Sequence, residues 1–325
     1  MARLRAIVEF LKRHPRALAV AQVVALVVFL GFAGWGLHGA LRDAGDRLRE
    51  ANPVDFVLGC VMVAAYYLLF VVGWIWILGA WGISITYPIA LRAEMVSMLA
   101  KYVPGGIWTP AARVIAARRA GITQAGLVTA SILIEAGLSA ISGVVVFVVS
   151  LAWVRGVDAP LAPLLVFAAI VALLLHPRIF QPVAARVLRR FGCERVPPVP
   201  ARTMLLLLSY YCFTWLIGGC GLYFLLRSLG GHPALATIPF LGGVSAVGAI
   251  VAVLAVFAPS GLGVREGSMY GLLLAVTSSE GVALGTTLLN RVAITLVEIL
   301  LLVVGGFVLR GNRDEARLVT REGET

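Results

Sequence analysis

Eight apolar segments, separated by short charged connections, constrain this chain more than any other feature. Six are continuous, at residues 17–37, 54–80, 127–153, 161–175, 204–226 and 282–309. A helix of about 20 apolar residues crosses roughly 30 Å of hydrocarbon, and no alternating ten-residue strand pattern competes with these runs. Lipid offers backbone groups no partner, so such segments must be helical. With 60% hydrophobic and 13% charged residues in a chain of 325, too little polar surface exists to coat a soluble globule. The expected fold is an all-α polytopic integral membrane protein.

The other two segments are broken. Pro104, Gly105, Gly106 and Pro110 interrupt residues 93–117, and "APSGLGVREG", Ala258 to Gly267, interrupts residues 237–277. Basic residues orient the chain: five lie in residues 1–16, six in the 177–202 loop and four in the 310–325 tail, which places all three in the cytoplasm of an inner-membrane protein. The 39–53 and 154–160 loops balance Arg against Asp and Glu, and 228–233 carries only His232, so these belong outside.

With six full spans, that parity makes 93–117 a re-entrant hairpin from the cytoplasm and 237–277 one from outside. The order span, span, broken hairpin, span then occurs twice in opposite directions, over 17–160 and 161–309. Paired Gly/Pro-interrupted segments in inverted repeats point to a transporter's binding site. Two full crossings by 237–277 leave the tail's parity unchanged and stay open as an alternative. The 17–37 run follows basic residues as a signal peptide does, but it is longer than a typical h-region and lacks a small-x-small cleavage site. It reads as a retained first span.

The net charge is +11, and Lys12 and Lys101 are the only lysines among 27 basic residues. In this context the excess faces an anionic cytoplasmic leaflet, with no nucleic-acid partner expected. Cys60, Cys193, Cys212 and Cys220 show no CxxC spacing, and His14, His38, His176 and His232 are scattered, so no metal or cofactor is expected. No GxSxG or HExxH motif appears, and the chain reads as a non-enzyme.

Seven charges lie in or beside apolar segments: Lys101, Arg113, Glu135, Arg265, Glu266, Arg291 and Glu298. Each costs about 2.5 to 3.5 kcal/mol or more near mid-bilayer, so they must face protein or water and pair with one another. Glu135 lies 31 residues after Pro104 and Arg291 lies 32 after Pro259, near-equivalent positions in the two repeats. The spacing predicts that they meet as a buried pair. Glu298, seven residues after Arg291, shares its helical face. Arg118, Arg119 and Arg310 read as interfacial anchors, and Trp35, Trp74, Trp76, Trp81, Tyr87, Trp153, Tyr210, Tyr211 and Trp215 as belt aromatics.

"PGG" and "PSGLG" unwind a helix at membrane depth, which is tolerated only in protein or along a water-filled cavity. A helix restarting there aims free N–H groups at the cavity, a setting suited to phosphate. Lys101, Arg113 and Arg265 add cations. The site expected from this pattern holds an anionic lipid headgroup; a packing kink with snorkelling arginines is the simpler alternative.

At "KYVPGGIW" with Arg113 downstream, Glu135, "APSGLGVREG" and Arg291, the sequence resembles the flippase-like transmembrane domain of lysylphosphatidylglycerol synthases, over roughly residues 54–306. The resemblance implies lipid translocation between leaflets. It carries a substrate-binding role to Lys101, Tyr102, Pro104, Gly105, Gly106, Arg113, Glu135, Pro259, Gly261, Gly263, Arg265, Glu266 and Arg291. The chain stops about 15 residues after its last span, so a soluble aminoacyl-transferase domain is not expected. Ala136 stands where many members have a basic residue beside Glu135, which shifts weight to Arg291.

The leading expectation is therefore a flippase or scramblase for an anionic phospholipid or polyprenyl-phosphate-linked lipid. No ATP-binding motif is present, so its energy source is a gradient or none. Two alternatives stay open: an intramembrane enzyme on lipid-linked substrates, and an accessory membrane protein recruiting a partner through the 177–202 loop.

Overall fold

The computed structural model describes residues 38–100, 108–154, 161–188, 196–255, 258, 261–277 and 279–308. Those residues contain helices and no strand. They form α1 (His38–Arg49), α2 (Pro53–Gly79), α3 (Tyr87–Leu99), α4 (Trp108–Arg119), α5 (Ala125–Ser150), α6 (Leu161–Leu175), α7 (Pro177–Leu188), α8 (Ala201–Ser228), α9 (Ile238–Leu254), α10 (Val264–Leu273) and α11 (Glu280–Val308). The protein is multi-pass: α2, α5, α8, α11 and Leu235–Leu254, a 3-10 turn running into α9, are long and apolar enough to cross a membrane. The expected 17–37 span lies outside the described residues.

Local sequence accounts for the helix boundaries. Asn52 caps α2, its side-chain oxygen accepting from the amides of Val54 at 2.9 Å and Asp55 at 3.4 Å, with Pro53 opening the first turn. Helix α3 begins at Tyr87-Pro88, six residues before the expected hairpin and within what reads as a cytoplasmic loop, because a proline at the helix start needs no amide partner. Pro110, expected as part of the break, instead lies in the first turn of α4. The second break also shifts: α9 ends at Leu254 and α10 starts at Val264, so Arg265, Glu266 and Gly267 are already helical.

Three further expectations change. The outer loop at 39–53 is mostly helix α1, packed on α11, and the loop at 177–202 begins as helix α7. The segment Leu161–Leu175 is short for a span, since 15 residues rise only about 22 Å. It bends by 71° into α7 at His176-Pro177, so only the bent pair together has a span's length and apolarity.

Helices α2 and α8 run antiparallel at the centre. Gly59 faces Leu225, Val63 faces Gly221 and Gly73 faces Tyr211, while the Tyr210 hydroxyl donates to the Leu69 carbonyl at 2.7 Å. At one end the Asn52 amide donates to the Ser228 carbonyl at 2.7 Å, and Arg227 approaches Asp55 at 3.7 Å. The α8–α9 crossing is closer still. A Cβ on Gly242 would stand 2.5 Å from the Trp215 carbonyl oxygen, and one on Gly219 would stand 2.7 Å from the Gly242 nitrogen. Only glycine permits this approach.

Two apolar cores flank the centre. Val71, Trp74, Leu78, Ala90, Ala93, Ala117 and Val128 hold α3 and α4 against α2 and α5. Phe147, Leu222, Phe240, Leu241, Val244, Met269 and Leu289 hold α9 and α10 against α5, α8 and α11.

Candidate functional site

In the first half, Arg113 of α4 is 4% exposed and sits between two acids, Glu135 of α5 and Glu94 of α3. Its two terminal nitrogens engage both Glu135 oxygens, Nη1 with Oε2 and Nη2 with Oε1, and Nη2 also lies 2.6 Å from Glu94 Oε2. The face of Trp74 from α2 lies 4.0 Å from the guanidinium carbon. The Trp74 ring is itself anchored by donating to the Ser131 hydroxyl at 2.8 Å. The Tyr211 hydroxyl adds a long contact to Glu135 Oε1 at 3.4 Å. Side chains from α2, α3 and α5 therefore converge on the one guanidinium of α4, whose planar fork suits bidentate carboxylate contact and stacking.

In the second half the signs are exchanged. Glu266 of α10 supplies the acid and Arg291 of α11 the base, Nη1 to Oε1 at 3.3 Å. The other Glu266 oxygen accepts the Gly263 amide at 2.7 Å and so caps the start of α10. The backbone reaches that cap through Gly261 and Gly263, with φ of 66° and 82°. The amide of Gly263, expected to be free for a phosphate, is thus taken by the chain's own carboxylate.

The expected Glu135–Arg291 pair is replaced by these two. Glu135 of α5 finds its partner on α4, and Arg291 of α11 finds its partner on α10. Glu298 is bound elsewhere, accepting from the Tyr67 hydroxyl of α2 at 2.5 Å.

Arg265 differs from Arg113 and Arg291. It is half-buried on the first turn of α10, with no carboxylate within ion-pair distance among the described residues. Its stem lies against Gly248 of α9, and Ala246 and Ala249 of the same helix pack in one cluster with Tyr66 of α2. Tyr66 in turn packs against Tyr67, Phe70 and Trp215, with ring centroids 5.6, 5.7 and 5.4 Å away.

Of the thirteen expected site residues, Arg113 and Glu135 come together in one cluster, and Gly261, Gly263, Arg265, Glu266 and Arg291 in another. Lys101, Tyr102, Pro104, Gly105, Gly106 and Pro259 lie outside the described residues. Glu94 was missed, although a lone acid in the apolar run from Ala93 to Ala100 marks it. Trp74, Tyr211 and Trp215 are buried, not belt residues; Trp76, Tyr87 and Trp153 are exposed, as a belt requires, and so are Arg118 and Arg119, as interfacial anchors must be. Among the described residues no group of three His, Cys, Asp or Glu side chains is placed to hold a metal.

Buried ion pairs of opposite polarity thus join α4 to α5 and α10 to α11, and Arg265 has no carboxylate within ion-pair distance among the described residues. Comparison with curated proteins returns no match. The family model of the lysylphosphatidylglycerol synthase TM region matches residues 16–302, and the chain belongs to that family.

Proposed function

We propose that the protein is a lipid transporter, a flippase or scramblase, that moves a lipid with an anionic headgroup between leaflets and leaves its bonds intact. Family membership ties the chain to membrane lipid. The lipid is an anionic phospholipid or a polyprenyl-phosphate-linked lipid. The observation that carries the reading is Arg265, a half-buried cation with no carboxylate within ion-pair distance among the described residues. An arginine in apolar surroundings needs a counter-charge, and phosphate matches its fork. Arg113 is committed to carboxylates, so it shapes the site and does not bind the headgroup.

The contacts support an inverted repeat in which α2, α3, α4 and α5 correspond to α8, α9, α10 and α11. An antiparallel α2–α8 pair is what an in-plane two-fold axis requires. The packing of α5 on α9 is matched by α11 on α3, and that of α2 on α11 by α8 on α5. In this reading α3–α4 and α9–α10 are the re-entrant hairpins. The termini lie in the cytoplasm and the membrane is the inner one.

The test is reconstitution in liposomes with labelled anionic, zwitterionic and polyprenyl-phosphate lipids, followed by recovery of the lipid. Translocation of an anionic lipid recovered chemically unchanged is expected. Recovery of an altered lipid would replace the transporter with an enzyme.

A further inference from the structure

The Glu94–Arg113–Glu135 cluster holds two carboxylates against one guanidinium, all three more than nine-tenths buried. The imbalance is not corrected nearby, since no second cation lies within ion-pair distance of either acid among the described residues. The side chains that reach it from packed helices are Trp74 on α2 and Tyr211 on α8, neither of them cationic. The two acids are not equally satisfied. Glu135 receives both Arg113 nitrogens and the Tyr211 hydroxyl, whereas the Arg113–Glu94 contact is off the hydrogen-bonding direction. Glu94 Oε2 and Arg113 Nε are buried with no hydrogen-bond partner.

Two carboxylates that share one buried site do not both ionise cheaply, and a proton restores neutrality without any added group. We propose that the Glu94–Arg113–Glu135 cluster is a proton-binding site in which the two acids share one proton, and that lipid translocation is linked to its release. The link to the headgroup site runs from Glu135 through the Tyr211 hydroxyl and the Phe70 ring to Tyr66, which packs in one cluster with Ala246 and Ala249 of α9, the helix on which the Arg265 stem lies at Gly248. Loss of the proton places a net negative charge on the Glu135 side of Tyr66 and weakens an anion's hold at Arg265. The linkage, though not the proton site, rests on the transport reading above.

Two measurements on the full chain test this. In infrared difference spectra of the purified protein at neutral pH, wild type should show a protonated-carboxyl band that shifts in heavy water. Glu94→Gln and Glu135→Gln should each remove it; Glu94→Gln leaves Arg113 its bidentate partner and is the variant expected to fold in any case. Absence of the band from wild type, or its persistence in Glu94→Gln, overturns the proton site. In liposomes, translocation of a labelled anionic phospholipid by wild type should respond to an imposed pH difference by up to about tenfold per unit, the most one proton supplies, and Glu94→Gln should respond less than twofold. Translocation indifferent to pH in wild type overturns the linkage while transport stands. The band without any translocation supports the proton site and removes the transport reading.

Discussion

Glu266 holds two partners at once: its Oε2 accepts the Gly263 amide at 2.7 Å, and its Oε1 faces Arg291 Nη1 at 3.3 Å. One carboxylate thus starts α10 and ties it to α11. Capping is a short-range task that any acceptor can perform, whereas the tie to α11 needs charge. Glu266→Gln should therefore keep most of the cap and cost about 1 kcal/mol, while Glu266→Ala loses both contacts and costs about 2 to 4 kcal/mol. Thermal unfolding of the two variants in detergent checks the order; equal losses would show that the cap does not matter.

Arg113 gathers Glu94, Glu135 and the face of Trp74. Its removal leaves two buried carboxylates without a cation, so Arg113→Ala should destabilise by about 3 to 5 kcal/mol, the cost typical of breaking a buried pair. A charge swap within the pair, Arg113→Glu with Glu135→Arg, should recover part of what either reversal loses, whereas Glu135→Arg with Arg291→Glu should recover nothing. Expression level and unfolding temperature of the three single reversals and the two double variants decide between the pairings.

Much of this arrangement is legible in the sequence. Apolar length marked α2, α5, α8 and α11 as long enough to cross, but not the shortness of Leu161–Leu175 or the span length of Leu235–Leu254, and the Pro-Gly blocks fall between α3 and α4 and between α9 and α10, because proline and glycine disfavour a continuing helix. Pairing was harder. The similar offsets from Pro104 and Pro259 suggested Glu135 with Arg291, but equivalent positions need not touch; Arg113 on α4 and Glu266 on α10 supply the opposite charges instead. Trp74 and Tyr211 looked like interfacial aromatics because they lie with other aromatics towards the ends of their apolar runs. Burial at 0% for both follows from which face of α2 or α8 meets a neighbour, and the uniformly apolar runs do not encode that face.

Gly261 has a φ of 66°, and a Cβ there would overlap Ala252. Gly261→Ala combines backbone strain with a clash and should destabilise by about 1 to 3 kcal/mol. Adding Ala252→Gly removes the Cβ contact at 2.3 Å but leaves the Ala252 Cα at 2.7 Å and the backbone strain, so the double variant should recover only partly in a chemical unfolding series. Full recovery would show that the positive φ carries no cost.

Gly242 meets the Trp215 carbonyl where α8 and α9 cross. Gly242→Val forces the helices apart and should cost about 3 kcal/mol, at the upper end for overpacking. Hydrogen exchange of α9 is the direct readout, with protection falling along Ile238–Leu254 and holding in α3 and α4. Unchanged protection would mean that the crossing relaxes without cost.

The most direct test of the headgroup site is the initial rate at which the protein in liposomes moves a labelled anionic phospholipid, compared for wild type, Arg265→Lys and Arg265→Ala. The site described above predicts an ordered loss, a few-fold for Lys and about tenfold or more for Ala, with roughly 1.4 kcal/mol of headgroup binding corresponding to each tenfold step. An Arg265→Ala protein that folds and moves the lipid at the wild-type rate would contradict it.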